Sequence, residues 1–334
     1  MACGKETSVV PPPGRVMSRN RGADTRTSRS PNPAAASDTR VFRRFASLLM
    51  ALVRLVRIEY CALGAIGVLL GAFLTVGAAP TMPVLLSAVA VFFVGAGCYA
   101  FDDLSDLASD RANERGDRPL VTGALQPRSA RIVGGASFGV ATVAALLAGT
   151  SSGVLILIGA VVAISYNTWL QKVLPLKNVL FAGVFPVPLL IGWLAGGGSP
   201  GPLLLYCVGL VFVAGLGFET MIDVADAEGD RRCGVVTFAT RYGTLLSSQV
   251  AAVFQIAAAV LVVLLFFLPV DARLQWDALF LVLATAAALC NAFVGLSLIR
   301  NHTTTRVFVL KRLAFLTLNA GVLAIFLGLL INVP

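Results

Sequence analysis

Phe101-Asp102-Asp103-Leu104-Ser105-Asp106-Leu107-Ala108-Ser109-Asp110-Arg111 follows directly on an apolar run that begins at Met82. Asp103, Asp106 and Asp110 are spaced i, i+3, i+7, which on a helix sets three carboxylates on one stripe. Such like charges repel, and a carboxylate at bilayer depth costs about 2.5–3.5 kcal/mol. A multivalent cation is the usual remedy. A twin stands further on, Asp223-Val224-Ala225-Asp226-Ala227-Glu228-Gly229-Asp230-Arg231. Its Asp223, Asp226 and Asp230 repeat the spacing, it too ends an apolar run, and it too closes on Asp-Arg.

Around these islands the chain is built for lipid. Of its 334 residues 57% are hydrophobic and 13% charged, against roughly 25% charged in soluble domains, and mean hydropathy is +0.85. Runs of about twenty apolar residues, without the alternation of barrel strands, read as an all-α polytopic membrane protein. Acids are concentrated. Asp102, Asp103, Asp106, Asp110, Glu114 and Asp117 lie in the first island, and Glu219, Asp223, Asp226, Glu228 and Asp230 in the second, eleven of the 17 in the protein. The net charge of +9 comes from arginines in the N-terminal stretch and in alternate loops, so it reads as membrane topology and phospholipid contact, with no nucleic-acid partner expected. The six cysteines form no CxxC pair and read as packing residues.

Residues 1–44 read as a disordered basic tail, Pro-, Ser- and Arg-rich and short of apolar residues. Residues 45–334 form the membrane domain. Nine spans are expected at about 58–77, 82–101, 130–149, 153–170, 178–197, 202–222, 247–268, 277–299 and 313–333. The islands follow spans two and six, which points to two parallel four-helix repeats with a ninth helix appended. Arginines and lysines fall in the loops after spans two, four, six and eight. By the positive-inside rule both islands and the N-terminus face the cytosol, the C-terminus lies outside, and the membrane is the plasma (bacterial inner) membrane.

Two carboxylate stripes on one membrane face suit Mg²⁺, a hard cation that takes oxygen ligands and is commonly shared with substrate phosphates. Arg111, Arg118, Arg231 and Lys172 lie near the islands in sequence or share their membrane face, as a diphosphate requires. No Walker-type loop is present, so a nucleoside triphosphatase is disfavoured. An apolar bundle around a diphosphate site points to a substrate with a hydrocarbon tail.

At these residues the chain resembles the UbiA superfamily of intramembrane prenyltransferases. The first island is similar to that family's N-D-x-x-D-x-x-x-D motif, with Asp102 where Asn is usual. Arg118-Pro119-Leu120-Val121-Thr122-Gly123 resembles its Arg-Pro-Leu-x-x-Gly. Tyr166 to Lys172, with Asn178 following, resembles its Tyr, Lys, Asn segment. The second island resembles its D-x-x-D-x-E-G-D form. The resemblance implies that Asp103, Asp106, Asp110, Asp226 and Asp230 bind Mg²⁺ with Asp223 nearby. It implies that Lys172, Arg118 and Arg231 hold the diphosphate, with Tyr166 and Asn178 shaping that pocket. The implied reaction ionises a polyprenyl diphosphate and passes the prenyl group to an aromatic or lipid-like acceptor in the membrane. The second island is most like the branches that alkylate glyceryl phosphate ethers, homogentisate and chlorophyll precursors.

Phe218 where relatives carry Arg, and Phe238-Ala239 for a common Leu-Pro, bear on the acceptor more than on the donor. Glu59, beside Arg54 and Arg57 at the entry to span one, reads as an interfacial partner of Arg57 or as part of the acceptor site. Arg111 and Arg231 read equally as substrate contacts or as neutralisers of their neighbours, and Lys177 reads as a membrane-surface anchor. Two rivals remain open. One is a membrane terpene cyclase, in which the substrate's own double bond quenches the cation. The other is a cation-binding transporter, disfavoured because both stripes lie at one face and not at the midplane.

Overall fold

The computed structural model describes residues 33–77, 80–168, 174 and 176–331. Among them it is all helical. The helices run α1 Pro33–Val56, α2 Ile58–Val76, α3 Met82–Ser105, α4 Leu107–Ala112, α5 Pro127–Ala148, α6 Thr150–Thr168, α7 Leu176–Val184, α8 Val187–Gly196, α9 Pro202–Cys233, α10 Phe238–Tyr242, α11 Thr244–Leu264, α12 Ala278–Arg300 and α13 Thr304–Ile331.

All nine expected apolar segments are helical, with two qualifications. Seven helices are long and apolar enough to cross a membrane. The fifth segment is broken into α7 and α8, bent by 40°, where Pro186 and Pro188 remove backbone donors and crowd the preceding turn. Counted as one span, the pair makes eight. The fourth, α6, is a shorter apolar stretch over Ser151–Ser165. The chain is an integral membrane protein by this count. The composition-based boundary at residue 44 falls within α1. Helix α1 starts at Pro33, a residue suited to a first turn, and runs through Ala34–Ala36. Its Ala51 and Leu55 pack on Ala100 of α3 and on Leu120, Leu125 and Ala130. Residues 1–32, the rest of the expected tail, lie outside the described residues.

Small residues let the helices approach. Gly97 of α3 receives the ring of Phe138 from α5, and Gly134 of α5 receives Phe101 from α3. Gly71 of α2 and Gly192 of α8 each lie against the other helix's backbone, close crossings of the kind small residues allow in membrane bundles. The second half packs α9 on α11 and α13, and α11 on α12. Helix α9 is the centre of the molecule, with 61% of its apolar window buried against 33–44% for the other long spans. Because α9 carries the second island at its end, the most enclosed helix delivers the carboxylates.

Candidate active site

The ends of α3 and α9 meet the starts of α2, α5, α7 and α13 on one face of the bundle, and both islands lie there. Side chains of the first island and its flank reach across to the second. Ser109 Oγ donates to Asp230 Oδ1 at 2.7 Å. Asn113 accepts from the Gly229 backbone N–H at 2.8 Å and donates to the Asp226 carbonyl at 3.2 Å. Arg115, 7% exposed, donates to Asp226 Oδ1 at 2.8 Å, holds both oxygens of Asp117, and lies 4.0 Å from Asp110. A Cβ at Gly229 would overlap the Asn113 side chain, so the glycine of the second island is what admits the first.

Each stripe is held by cations. Asp103, 2% exposed, accepts through Oδ1 from Arg57 at 2.9 Å and from Arg118 at 2.7 Å. Its other oxygen, Oδ2, is buried and has no hydrogen-bond partner among the described residues. Arg118 also lies 3.5 Å from Asp110. Arg57 stands at the break between α1 and α2 in the left-handed region, φ 49°, a strain of about 1 kcal/mol or more for a residue with a side chain. The turn aims its guanidinium at Asp103 and over the Tyr99 ring, 4.5 Å from the centroid, two contacts that offset the strain. Burial works against the Arg57 charge, but Asp102 and Asp103 more than compensate and its pKa is raised. Burial pushes the Asp110 carboxyl up to about 7; Arg115 opposes this, while Asp106, Asp103 and Asp226 reinforce it. Burial also raises Asp117, yet the hydrogen-bonded Arg115 outweighs it and the carboxyl falls below its usual range.

On the second stripe Lys177 pairs with Asp223 and lies 3.2 Å from Glu219. Asn178 and the Phe238 backbone N–H both donate to Asp223 Oδ2, at 3.0 and 3.2 Å. Lys177 is therefore an internal counter-ion and not the surface anchor its position in the loop implied. Glu59 is exposed and Arg57 turns away from it to Asp103, so the expected interfacial pair does not form. Arg111 and Arg231 are exposed on the outer sides of α4 and α9. Asp106 is exposed and accepts from Ser105 Oγ at 3.3 Å, and Asp102 is half-buried on α3. Lys172 lies outside the described residues, and the Tyr166 side chain does as well. Arg57, Arg115, Asn113 and Ser109 escaped the sequence reading as site residues. Gly229, in a helix beside a buried acid, was the available signal for Asn113.

Among the described residues no three carboxylates converge tightly enough to chelate an ion. The donor set nonetheless fits a hard cation: it is all oxygen, and Asp103 Oδ2 is a buried acceptor with nothing to accept. Beneath the carboxylates runs a row of rings, Tyr99, Tyr60, Phe315, Phe218, Phe185 and Phe181, each 4.2–6.0 Å from the next.

With this geometry in place, sequence comparison is decisive. The pattern of the UbiA prenyltransferase family matches residues 64–331. The chain belongs to that family. This UbiA-family chain is 33% identical over 247 residues to the digeranylgeranylglyceryl phosphate synthase of Methanopyrus kandleri, covering 74% of its own length and 88% of the relative's. It is 30% identical over 279 residues to the synthase of the same name from Thermococcus kodakarensis, covering 82% and 97%. Its fold is similar to that of an apo UbiA homologue from Aeropyrum pernix, with a TM-score of 0.63 at 22% identity over 80% of this chain and 98% of that one. It is also similar to a UbiA homologue from Archaeoglobus fulgidus bound to DMAPP and Mg²⁺, with a TM-score of 0.59 at 16% identity over 82% and 98%. The UbiA resemblance of the four motifs is thereby borne out, and the chain is an enzyme of the prenyltransferase class.

Proposed function

We propose that this enzyme transfers a prenyl group from a polyprenyl diphosphate to the hydroxyl of a glyceryl phosphate ether lipid, at the cytosolic face of the plasma membrane. The observation that carries this reading is the meeting of two carboxylate stripes with Arg57, Arg118, Arg115 and Lys177 at one end of an apolar bundle. Relatives at 30–33% identity named as digeranylgeranylglyceryl phosphate synthases support the acceptor class, and the neighbour bound to DMAPP and Mg²⁺ supports the donor and the cation.

In this reading Asp103, Asp106 and Asp110 face Asp226 and Asp230 as the Mg²⁺ ligands. Mg²⁺, when bound, neutralises the departing diphosphate. Asp223 anchors Lys177 and Asn178 beside them. Arg118 and Arg57 exchange their hold on Asp103 for the diphosphate oxygens, with Lys172 completing that grip, and charge-assisted bonds to the leaving group are the main catalytic contribution. The allylic C–O bond breaks with its electron pair going to the diphosphate. The acceptor oxygen bonds to the allylic carbon, and its proton passes to the released diphosphate. The aromatic row from Tyr99 to Phe181 takes the tail, excludes water, and offers ring faces to the cation.

The test is diphosphate release by detergent-purified protein with Mg²⁺ and geranylgeranyl diphosphate, with and without a glyceryl ether phosphate. Release that depends on the acceptor, with an ether-linked product, supports the reading. Release without acceptor, accompanied by a cyclised hydrocarbon, would move the chain to the cyclases. Absence of release with any acceptor, beside cation flux in liposomes, would sink the enzyme altogether.

A further inference from the structure

Helix α1 lies ahead of residues 64–331, the part of the chain that the family pattern matches, and none of its side chains enters the site described above. Its 24 residues carry four arginines and one aspartate. Arginine is costly at bilayer depth, and α1 is not among the helices apolar enough to cross a membrane. Yet it joins a span directly, since only Arg57 separates it from α2. The bundle covers it only from Ala51 onward. Ala51 and Leu55 pack on Ala100, Leu120, Leu125 and Ala130, which holds the C-terminal end of α1 at the face where the islands lie. Every residue from Phe42 to Met50 is exposed.

The exposed stretch has two unlike sides. Phe42, Phe45, Leu49 and Leu52 are spaced i, i+3, i+7, i+10 and share one face of the helix. Arg43, Arg44, Ser47 and Arg54 fall on the opposite one. Phe42 is 73% exposed and Phe45 63%, and two phenyl rings this bare need a cover other than water. A helix with rings on one side and arginines on the other, held at the level where a span enters the bilayer, has the build of a helix that lies in the membrane interface. Arginines clustered on such a helix complement anionic headgroups. The charge upstream has the same sign, with six cations against two acids in residues 1–32.

We propose that α1 is an interfacial helix that binds an anionic lipid leaflet on the island side of the membrane. Phe42, Phe45, Leu48 and Leu49 seat among the lipid tails just below the headgroups, and Arg43 and Arg44 take the headgroup phosphates. The leaflet thus covers the face that the bundle leaves bare. Ala100, on which α1 packs, stands one turn before Asp103 on α3, so the helix ties the first island to the plane of the headgroups. This role is independent of which acceptor the enzyme uses.

The experiment reads amide hydrogen exchange of residues 42–50 in the full chain, placed one copy per lipid nanodisc. The discs are made of phosphatidylcholine alone or with phosphatidylglycerol. The wild type should exchange more slowly in the anionic discs than in the neutral ones. An arginine near an anionic surface is worth roughly fivefold, so Arg43→Gln with Arg44→Gln should remove about 25-fold of the protection in anionic discs and little in neutral ones. Phe45→Ser with Leu49→Ser should speed exchange in both. The unfolding temperature in detergent, where no leaflet is present, should stay at the wild-type value in every variant, which reports that the bundle is folded. Equal exchange of the wild type in anionic and neutral discs would overturn the recognition of charge. Exchange at the rate of a free peptide in every disc would mean that no leaflet covers the helix. Protection found only in discs that hold two copies would give the face to a second copy of the chain.

Discussion

The two aspartate islands have the same spacing and different backbones. The second lies on one unbroken helix, α9, that runs from Pro202 to Cys233, so Asp223, Asp226 and Asp230 form the single stripe their spacing implies. The first is broken. Helix α3 ends at Ser105, Asp106 stands between helices, and α4 resumes at Leu107. Ser105 Oγ bonds to the Asp102 carbonyl and to Asp106, the local competition by which a serine loosens a helix end. Partners differ in the same way. Asp223 has both oxygens taken, by Lys177, Asn178 and Phe238. Asp103 has two cations on one oxygen and leaves the other unpartnered. An acid with both oxygens engaged holds structure, and an acid with one oxygen open is available for a ligand. The repeat thus supplies one rigid island and one adaptable island, and equivalent positions have different duties.

The strongest way to break that comparison is to remove each leading acid in turn. Asp103→Ala is expected to lower diphosphate release on the order of 10³-fold, since it removes an open ligand oxygen and the anchor of Arg57 and Arg118. Asp223→Ala is expected to act first on stability. It leaves Lys177 buried against Glu219 alone, and breaking a buried pair costs about 3–5 kcal/mol, read as a lower unfolding temperature in detergent. Equal activity losses with unchanged stability in both variants would show that the two islands are equivalent. Lys177→Met sharpens the point, with an expected loss of about 3 kcal/mol and an unchanged donor KM. A donor KM that rose while stability held would move Lys177 into the substrate site.

Much of this was legible in the sequence, for reasons particular residues make plain. The apolar runs are long enough to force helices whatever their neighbours, so nine segments emerged with boundaries near their expected places. The carboxylates were legible because acids at the ends of such runs are costly. The counter-ions were not, because an arginine or lysine at a membrane surface has an ordinary explanation. Lys177 and Arg57 stand at the starts of α7 and α2, where such residues are common, and only tertiary contact separates them from Arg111 and Arg231, which are exposed. The break at Asp106 was hidden because i, i+3, i+7 spacing describes a helix equally well with or without a kink. Proline positions did announce the break between α7 and α8, but not that it bends by 40°.

The seam between the islands gives a smaller test. Gly229→Ala places a methyl where the Asn113 side chain sits. Asn113 is short and tied by two bonds to α9, so it yields only by losing them. Overpacking of this kind costs about 1–3 kcal/mol, and the unfolding temperature should fall with it. A neutral Gly229→Ala would mean that the islands slide on each other and that the seam is not rigid.

The smallest effect concerns protons on the adaptable island. Asp110 lies outside the long spans, on α4, and its carboxyl titrates near 7 because burial outweighs Arg115. Below that pH it carries a proton, and a cation must displace the proton to bind; above it the carboxylate is ready. The Mg²⁺ concentration for half-maximal diphosphate release should therefore rise as pH falls below about 7, by up to about tenfold per unit for one competing proton, and level off above. Asp110→Asn removes the competing proton, so its weaker Mg²⁺ dependence should lose this slope. If the slope persists in Asp110→Asn, the proton sits elsewhere. If no slope is found in the wild type, the broken island holds Asp110 ionised in the working enzyme, and the first stripe is as preformed as the second.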